Sequence, residues 1–259
     1  MEKYGGTLVH CQRDEQGLLE VVEAYGVRSL HFGSAARQST MSLAEPERLE
    51  MPYLRAMLIG LAFVPAPCRC LILGLGGGSL ARFLAHHLPS ARIEVVELRP
   101  ALVEIAREYF GLPGWSGIQI HLGDAGEFVA RQRTEAPGCH DLILVDLFDA
   151  HGLAPLVLQP QFQADLRHLL SPSGVVCVNL WQGDETSYRT AMRMLREQFP
   201  GNTFTLPVSG RGNLIGVGLA GTPVERRLRA CLPAARQWER RMGIELSRLL
   251  ERLSPPLRR

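Results

Sequence analysis

Residues 71–79 read LILGLGGGS and decide the fold, because an apolar run ends there in a glycine-rich turn. The next residues, LARFLAHHL (80–88), have the pattern of a helix. Glycine in such a turn lets the backbone come close to a ligand. Gly74, Gly76 and Ser79 only approximate the pattern G-x-G-x-x-G, since the third small residue is serine. The stretch therefore predicts a strand, a nucleotide-binding turn and a helix, with a turn that binds nothing as the alternative.

Further apolar strands are predicted along the chain, separated by helical segments, at 92–98, 118–122, 141–148 and 174–181. Apolar strands that alternate with helices indicate a parallel sheet covered on both faces. The runs 202–208 and 213–220 are joined by a short link and predict a hairpin, so the last strand is expected to be antiparallel. The predicted fold class is α/β, with a Rossmann-like, seven-stranded, mainly parallel sheet of the type found in S-adenosylmethionine-dependent methyltransferases.

The chain divides into three predicted regions. Residues 1–52 form a small N-terminal antiparallel β unit, with strands expected at 18–25, 27–32 and 38–43. Residues 53–222 form the Rossmann-like catalytic domain, which begins with a helix over 53–64, and residues 223–259 form a helical extension. One face of that extension is apolar at Trp238, Met242, Leu246, Leu249 and Leu253, which indicates packing or a dimer contact.

Composition narrows the class of protein. The chain has 259 residues, 46% of them hydrophobic and 21% charged, which suits one large α/β domain with a small appendage. The apolar run 57–67 is too short to cross a membrane, and the N-terminus MEKYGG does not have the pattern of a secretory signal. We therefore expect a cytoplasmic protein with no membrane partner.

The cysteine content and the net charge do not indicate a specific function. Six cysteines are too few for a disulfide scaffold, and Cys68 and Cys70 lack the second ligand pair of a structural zinc site, so no metal is expected. The net charge is +2, although residues 221–259 hold ten Arg and four Glu. This asymmetry could suit a polyanion, but it is read as a solvated helix face, and no nucleic acid partner is expected.

Two strand ends carry residues suited to a nucleoside. A carboxylate at Glu97 can accept hydrogen bonds from both hydroxyls of a ribose, or it can simply favour the start of the next helix. Asp124 can accept a hydrogen bond from the amine of adenine, with the Ala125 backbone beside the base. The alternative is a helix-capping box formed with Glu127.

Asp146 and Asp149 leave the fourth strand of the predicted parallel sheet together. In an open α/β sheet, ligands bind at this edge. An attacking amine is protonated at neutral pH, so a carboxylate within reach must take its proton, and Asp146 is the candidate general base. Both acids could instead cap a turn.

Several motifs, in the same order, resemble those of the spermidine synthases, also called polyamine aminopropyltransferases. They span about residues 32–219: Gln38 after LHFGS, EMPY (50–53), the glycine loop, VVELRPALVEIAREYF (95–110), GDA (123–125), VDLFDAHGLAPLVLQPQF (145–162) and LSPSGVVCVNL (170–180). The resemblance implies aminopropyl transfer from decarboxylated S-adenosylmethionine, a co-substrate rather than a tightly bound cofactor, to a small amine. It also implies a cytoplasmic homodimer.

By the same resemblance, site residues are assigned in three groups. The donor would contact Gln38, Gly74, Gly76, Gly77, Gly78, Glu97, Asp124 and Ala125. Asp146 would be the catalytic base. Tyr53 and Asp149 would face the amine acceptor.

The sequence departs from the family pattern on the acceptor side. The family loop usually reads G-G-G-D-G-G, and its acid holds the amino end of the donor, but Gly77 takes that position here. The usual His-Glu after the tyrosine is Leu54-Arg55, and the usual D-S-x-D-P is DLFDA (146–150). Arg55 would add a positive charge near the acceptor path, where it disfavours a diamine and could pair with a donor carboxylate.

These departures keep other functions open. Loss of the acid at Gly77 suits a methyltransferase that uses intact S-adenosylmethionine on a small acceptor. A nucleoside-binding protein without catalysis is a second alternative. A nicotinamide oxidoreductase is disfavoured by Ser79 and by the antiparallel last strand.

Overall fold

The computed structural model describes residues 1–114, 117–150, 152–210, 212–221 and 224–255. The N-terminal part is an antiparallel sheet of five strands in chain order. They are β1 (Glu2–Lys3), β2 (Gly6–Asp14), β3 (Gly17–Ala24), β4 (Val27–His31) and β5 (Arg37–Ser42). The last three correspond to the strands expected from the sequence. The first two were missed, because β2 has only half-buried and exposed residues and its sequence, GTLVHCQRD, lacks a clean apolar alternation.

The second sheet has seven strands. They are β6 (Arg69–Leu73), β7 (Arg92–Glu97), β8 (Ile118–Leu122), β9 (His140–Val145), β10 (Leu170–Trp181), β11 (Thr203–Pro207) and β12 (Asn213–Leu219). Their order across the sheet is β11-β12-β10-β9-β6-β7-β8. The five strands from β10 to β8 are parallel, whereas β12 is antiparallel to both of its neighbours. The predicted fold class, including the antiparallel last strand, is confirmed.

Helices cover both faces of this sheet, and each face has its own apolar core. The helices are α1 (Pro52–Met57), α2 (Gly60–Phe63), α3 (Ser79–His87), α4 (Pro100–Phe110), α5 (Ala125–Glu135), α6 (Pro160–Leu169), α7 (Glu185–Gln198), α8 (Val224–Met242) and α9 (Leu246–Glu251). A short 3₁₀ helix spans Pro155–Leu158. Because parallel strands end at the same edge, the loops after β6 to β10 meet on one side of the sheet.

The helix predicted over 53–64 is split into α1 and α2. Between them, the Leu61 N–H donates to the Leu58 carbonyl at 3.0 Å, which is the tighter hydrogen bonding of a 3₁₀ turn. The chain lies close to the sheet there, because a Cβ added to Gly60 would be 2.5 Å from Cδ1 of Leu142. Tight packing against the sheet therefore accompanies the break.

The C-terminal apolar stripe packs within the chain. Trp238, Met242 and Leu246 are buried in the same core as α2, and Leu249 and Leu253 pack against it. The helix stops at Gly243, whose φ of +67° ends α8 before α9 begins. Among the described residues, no helix combines the length and the apolar character needed to cross a bilayer. The region boundaries at 52 and 222 stay predictions.

Candidate active site

A cavity of about 930 Å³ opens at the carboxyl ends of the parallel strands. Nine of the eleven site residues predicted from the sequence line it: Gln38, Tyr53, Gly74, Gly76, Glu97, Asp124, Ala125, Asp146 and Asp149. The volume is in the range that proteins use for small-molecule ligands. The structure thus brings the predicted donor and acceptor residues together in one place, while their individual roles stay predictions.

Gly77 and Gly78 lie outside this lining, which narrows the prediction made for the glycine loop. A Cβ on Gly77 would be 2.7 Å from Oγ of Ser39, and one on Gly78 would be 2.9 Å from Cδ1 of Leu112. Both glycines therefore face neighbouring protein. Gly74 and Gly76 are the two loop glycines that line the cavity, and a direct donor contact stays a prediction for all four.

Gly74 also has a structural role. Its φ is +95°, and an added Cβ would be 2.2 Å from the Asp146 carbonyl oxygen. The Asp146 N–H donates to the Leu73 carbonyl at 2.9 Å, so the ends of β6 and β9 are joined at this point. Glycine at this position lets the backbone carrying the predicted base lie directly beside the glycine loop.

Glu97 is buried at the end of β7, and both carboxylate oxygens are held by backbone. Oε2 accepts a hydrogen bond from the Leu75 N–H at 2.9 Å, and Oε1 accepts one from the Arg99 N–H at 2.8 Å. Burial raises the pKa of Glu97, and these backbone donors oppose the rise. Each oxygen keeps acceptor capacity for a ligand, which suits a pair of neighbouring hydroxyls.

Arg99 joins the N-terminal sheet to the cavity. Its Nε and Nη2 donate to Oδ2 and Oδ1 of Asp14, each at 2.8 Å, and its guanidinium lies 4.9 Å from the ring centre of Phe32. This bidentate pair lowers the pKa of Asp14. Phe32 and Arg99 both line the cavity, so the N-terminal unit forms part of its wall. This pair could not be predicted from the sequence, because the strand carrying Asp14 was missed.

Asp124 caps α5 as the alternative interpretation proposed. Its Oδ1 accepts hydrogen bonds from the N–H groups of Gly126 and Glu127, at 2.8 and 3.0 Å. The same residue lines the cavity together with Ala125. Capping occupies one carboxylate oxygen, so it fixes the side chain at the cavity rather than competing with a ligand role for the other oxygen.

Asp146 lies at the centre of a polar network. Tyr53 donates from its hydroxyl to Oδ2 at 3.2 Å, and Asn179 donates from Nδ2 to Oδ1 at 2.8 Å. Asn213 in turn donates from Nδ2 to Oδ1 of Asn179 at 3.0 Å. Burial raises the pKa of Asp146, whereas the Asn179 and Tyr53 hydrogen bonds lower it. Burial also raises the pKa of Tyr53 well above its usual value, so the phenol keeps its proton as a donor.

Asp149 belongs to a tight loop that lines the same cavity. Its Oδ1 accepts a hydrogen bond from the Gly152 N–H at 3.0 Å, and its own N–H donates to the Gly152 carbonyl at 2.9 Å. Phe148 and Leu153 pair as an antiparallel bridge across this loop. Asp149 therefore caps a turn, as the alternative interpretation expected. A contact between Asp149 and an acceptor stays a prediction.

Trp181 is a cavity residue that sequence reasoning missed. Its side chain is 43% exposed, and it lies two residues after Asn179 in β10, on the same face of the strand. A Cβ added to Gly183 would lie 2.2 Å from Nε1 of Trp181, and one added to Gly212 would lie 2.8 Å from its Cη2. The indole is thus fixed against two backbone segments. A tryptophan at the end of the strand predicted at 174–181 was the available signal.

Arg55 lies outside the cavity lining, and its Nη2 donates to the Glu50 carbonyl at 3.1 Å. Leu54, the other departure at this place, is buried in the core. The Arg55 guanidinium is thus held at the segment that precedes α1, and its effect on an acceptor stays a prediction.

Comparison with known proteins identifies the family. Residues 54–200 match the spermine/spermidine synthase domain. The chain is 34% identical over 236 residues to the polyamine aminopropyltransferase of Chromobacterium violaceum, covering 91% of this chain and 88% of that protein. This chain belongs to the spermine/spermidine synthase family. The family and the transferase class expected from the sequence are confirmed.

Among solved structures, this chain is similar to both a spermidine synthase and a methyltransferase. A probable spermidine synthase from Corynebacterium glutamicum superposes with a TM-score of 0.71 at 22% identity, over 89% of this chain and 86% of that one. Human methyltransferase-like protein 13, solved in complex with SAH, superposes with a TM-score of 0.65 at 26% identity, over 81% of this chain and 96% of that one. The first comparison supports the fold, and the second adds a methyltransferase as a relative of this spermidine synthase family member.

Proposed function

We propose that this protein transfers an aminopropyl group from decarboxylated S-adenosylmethionine to a small amine. One observation carries the proposal: Asp146, held by two donors, faces the same cavity as Glu97 and Asp124. That arrangement puts a proton acceptor beside groups suited to an adenosine. The co-substrate binds reversibly and is consumed, so no resident cofactor is needed in this proposal.

On the donor side, Glu97 accepts hydrogen bonds from the two ribose hydroxyls. Asp124 accepts one from the exocyclic amine of adenine through the oxygen that does not cap α5. Gln38 and Ala125 line the same cavity, and in this proposal they complete the donor side. Because Glu97 and Asp124 are anchored to backbone N–H groups, they are ordered before the ligand arrives, which limits the entropy lost on binding.

On the acceptor side, the amine nitrogen attacks the methylene carbon next to the sulfonium. The bond from that carbon to sulfur breaks, and its electron pair leaves with sulfur as a neutral thioether, methylthioadenosine. The nitrogen carries an extra proton at neutral pH, and this proton moves to Asp146 as the new bond forms, so the product is a cationic secondary ammonium. Holding the two reactants in line supplies much of the remaining rate enhancement.

Trp181 and Asp149 complete the acceptor side in this proposal. The exposed indole face attracts an alkylammonium group and covers its methylene chain. Asp149 adds negative charge to the same cavity. The acceptor is therefore expected to be a cationic amine with a short apolar chain.

The test is turnover with a matched pair of variants. Wild-type protein, decarboxylated S-adenosylmethionine and a panel of amines should release methylthioadenosine only when donor and amine are both present. Asp146→Asn should lower kcat/KM by about 10²- to 10⁴-fold. Asp184→Asn is the control, because Asp184 caps α7 outside the cavity and asparagine caps equally well. Equal turnover in wild type and Asp146→Asn would reject the base.

A methyltransferase is the second candidate, and two observations favour it. Gly77 faces Ser39, so the family acid that holds the donor amine is absent and its place is occupied. A structural relative was solved with SAH. Competition between equal concentrations of the two donors separates the candidates: release of methylthioadenosine supports aminopropyl transfer, whereas release of S-adenosylhomocysteine with a methylated acceptor supports methylation.

A homodimer and a cytoplasmic location are part of the same proposal. Sedimentation at several protein concentrations tests the first, and cell fractionation tests the second. A monomer at all concentrations, or recovery with membranes, would contradict them.

A further inference from the structure

Behind the predicted base lies a chain of two amides. Asn179 donates to Oδ1 of Asp146 at 2.8 Å, and Asn213 donates to Oδ1 of Asn179 at 3.0 Å. Both asparagines are buried, with exposed fractions of 2% and 9%, and both line the cavity. Polar side chains this deeply buried are costly unless they are paired, so the arrangement is well ordered.

The antiparallel last strand is what brings Asn213 into this network. In the β10–β12 ladder, Asn179 pairs with Ile215 and Trp181 pairs with Asn213. Residues 213 and 215 share a face of β12, so Asn213 is the diagonal neighbour of Asn179. A diagonal neighbour is within reach of a side-chain amide. The topology that distinguishes this sheet from an all-parallel one therefore places an amide behind the base.

We propose that Asn213 is a positioning residue that fixes the orientation of Asn179 and, through it, the protonation of Asp146. This inference rests on the proposed role of Asp146 as the base. An asparagine side chain has an oxygen that accepts and an NH₂ group that donates. Because Asn213 donates to the oxygen of Asn179, the NH₂ group of Asn179 must point at the carboxylate.

The consequence is a carboxylate with both oxygens engaged by fixed donors. Tyr53 contacts Oδ2 and Asn179 contacts Oδ1, and each bond favours the ionised form that can accept a proton. If Asn213 no longer donates, Asn179 is free to rotate its amide and turn its oxygen toward Asp146. Two acceptors would then face each other, and the ionised base would be destabilised.

Other titratable and charged groups line the cavity, and they are the same in wild type and in variants at Asn213. They are Tyr53 from α1, Arg37 from β5, Glu97 from β7, Arg99 before α4, Asp124 before α5 and Asp149 in the loop after β9. The described contacts of Asn213 include none of these side chains, since its amide donates to Asn179. A change at Asn213 therefore reaches Asp146 through Asn179.

The experiment measures the titration of Asp146 directly and through catalysis. Infrared difference spectra give the band of the protonated carboxyl, which is assigned by its loss in Asp146→Asn. The pH profile of kcat/KM gives the pKa of the same carboxyl group during turnover. Both are recorded for wild type, Asn213→Leu and Asn213→Asp. The second variant keeps the shape of the side chain but, once ionised, cannot donate to Asn179.

Thr203→Val is the matched control. Thr203 is buried in β11 and donates to the Phe199 carbonyl at 2.8 Å, so this variant also loses a buried hydrogen-bond donor at nearly constant shape. Thr203 does not line the cavity. Wild type and Thr203→Val should therefore titrate alike, which separates a general loss of stability from a change at the base.

Asn213→Leu should titrate Asp146 higher by about half to one pH unit, the scale of one weakened hydrogen bond to a carboxylate, and Asn213→Asp should raise it further because its ionised carboxylate adds a like charge. Their affinity for methylthioadenosine should stay within about twofold of wild type, since the donor residues are untouched. Superposition of the wild-type and variant titrations would overturn the inference. If no aminopropyl transfer is found but the infrared midpoint shifts, the proposed function fails and the positioning role of Asn213 stands.

Discussion

The two halves of the cavity, proposed to hold the donor (around Glu97 and Asp124) and the acceptor (around Asp146), are built in different ways. Glu97 and Asp124 accept hydrogen bonds from backbone N–H groups, most of them within three residues along the chain. Asp146 is instead held by two side chains, Tyr53 and Asn179, which come from α1 and β10. The donor half therefore depends on strand ends and turns, and the acceptor half depends on contacts between distant parts of the sequence.

The departures from the family pattern fall into two groups. Gly77, Leu54 and Arg55 lie outside the cavity lining, whereas Leu147 and Ala150, beside the two aspartates, lie within it. All of them leave the backbone-anchored carboxylates in place. Variants in each half separate the two.

Asn179→Leu should damage the acceptor half most. It removes the donor to Oδ1 of Asp146 and leaves the Asn213 amide without its acceptor. We expect kcat/KM to fall by about 10²-fold, because the base loses its orientation and its ionised form is disfavoured. Calorimetry with methylthioadenosine should show unchanged donor affinity. A parallel loss of donor affinity would mean that the two halves are not independent.

The ion pairs of Glu94 stabilise the strand that carries Glu97, and the pH dependence of the unfolding free energy tests their contribution. Glu94 lies in β7 and accepts hydrogen bonds from His140 at 3.3 Å and from Arg69 at 3.0 Å. These partners, His140 first, lower the pKa of Glu94 to about 2 from its usual 4.5. Because the pKa of Glu94 is lower in the folded chain than in the unfolded chain, its ionised form stabilises the fold at pH values above 4.5. This contribution, about 3 kcal/mol, is lost as the pH falls from 4.5 toward 2.

Urea unfolding of wild type and Glu94→Gln across this acid range measures that contribution. The free energy of unfolding should fall more steeply with acid in wild type than in Glu94→Gln. Asp146 and Glu97 act with the opposite sign, because burial raises both pKa values, and their contribution is lost as the pH rises through the folded values. Identical acid slopes in the two proteins would contradict the assignment to Glu94.

Glu97→Gln should damage the donor half alone. The amide replaces one acceptor by a donor that faces a backbone N–H, either of Leu75 or of Arg99. Affinity for methylthioadenosine should fall by about tenfold or more, through loss of a charged hydrogen-bond acceptor. Glu104→Gln, at an exposed position of α4, is the control and should bind as wild type. Unchanged binding in Glu97→Gln would remove Glu97 from the donor site.

Trp181→Ala should give the smallest effect, confined to the amine. Loss of the indole face should raise KM for the amine by about five- to tenfold, the range of a partly exposed cation–π contact, with kcat little changed. Tyr25→Ala is the control, because Tyr25 is 99% exposed and outside the cavity lining. Steady-state kinetics would count against the proposal if kcat fell and KM stayed constant.

The same contrast explains how far the sequence could be read. The strand pattern and the order of motifs predicted the sheet, its antiparallel last strand and nine residues that line the cavity, because these features are local. The roles of Asn179, Asn213 and Trp181 depend on the pairing of β10 with β12, which residue types alone do not reveal. The contact of Arg55 with the Glu50 carbonyl was also beyond the sequence, since the direction of a side chain depends on how α1 packs.

The most direct test of the account is calorimetric titration of wild-type protein with methylthioadenosine, followed by putrescine in its presence. The account predicts saturable binding of the nucleoside at one site per chain, followed by binding of putrescine, which is a cationic amine with a short apolar chain. Tight binding of putrescine with no binding of methylthioadenosine would contradict it.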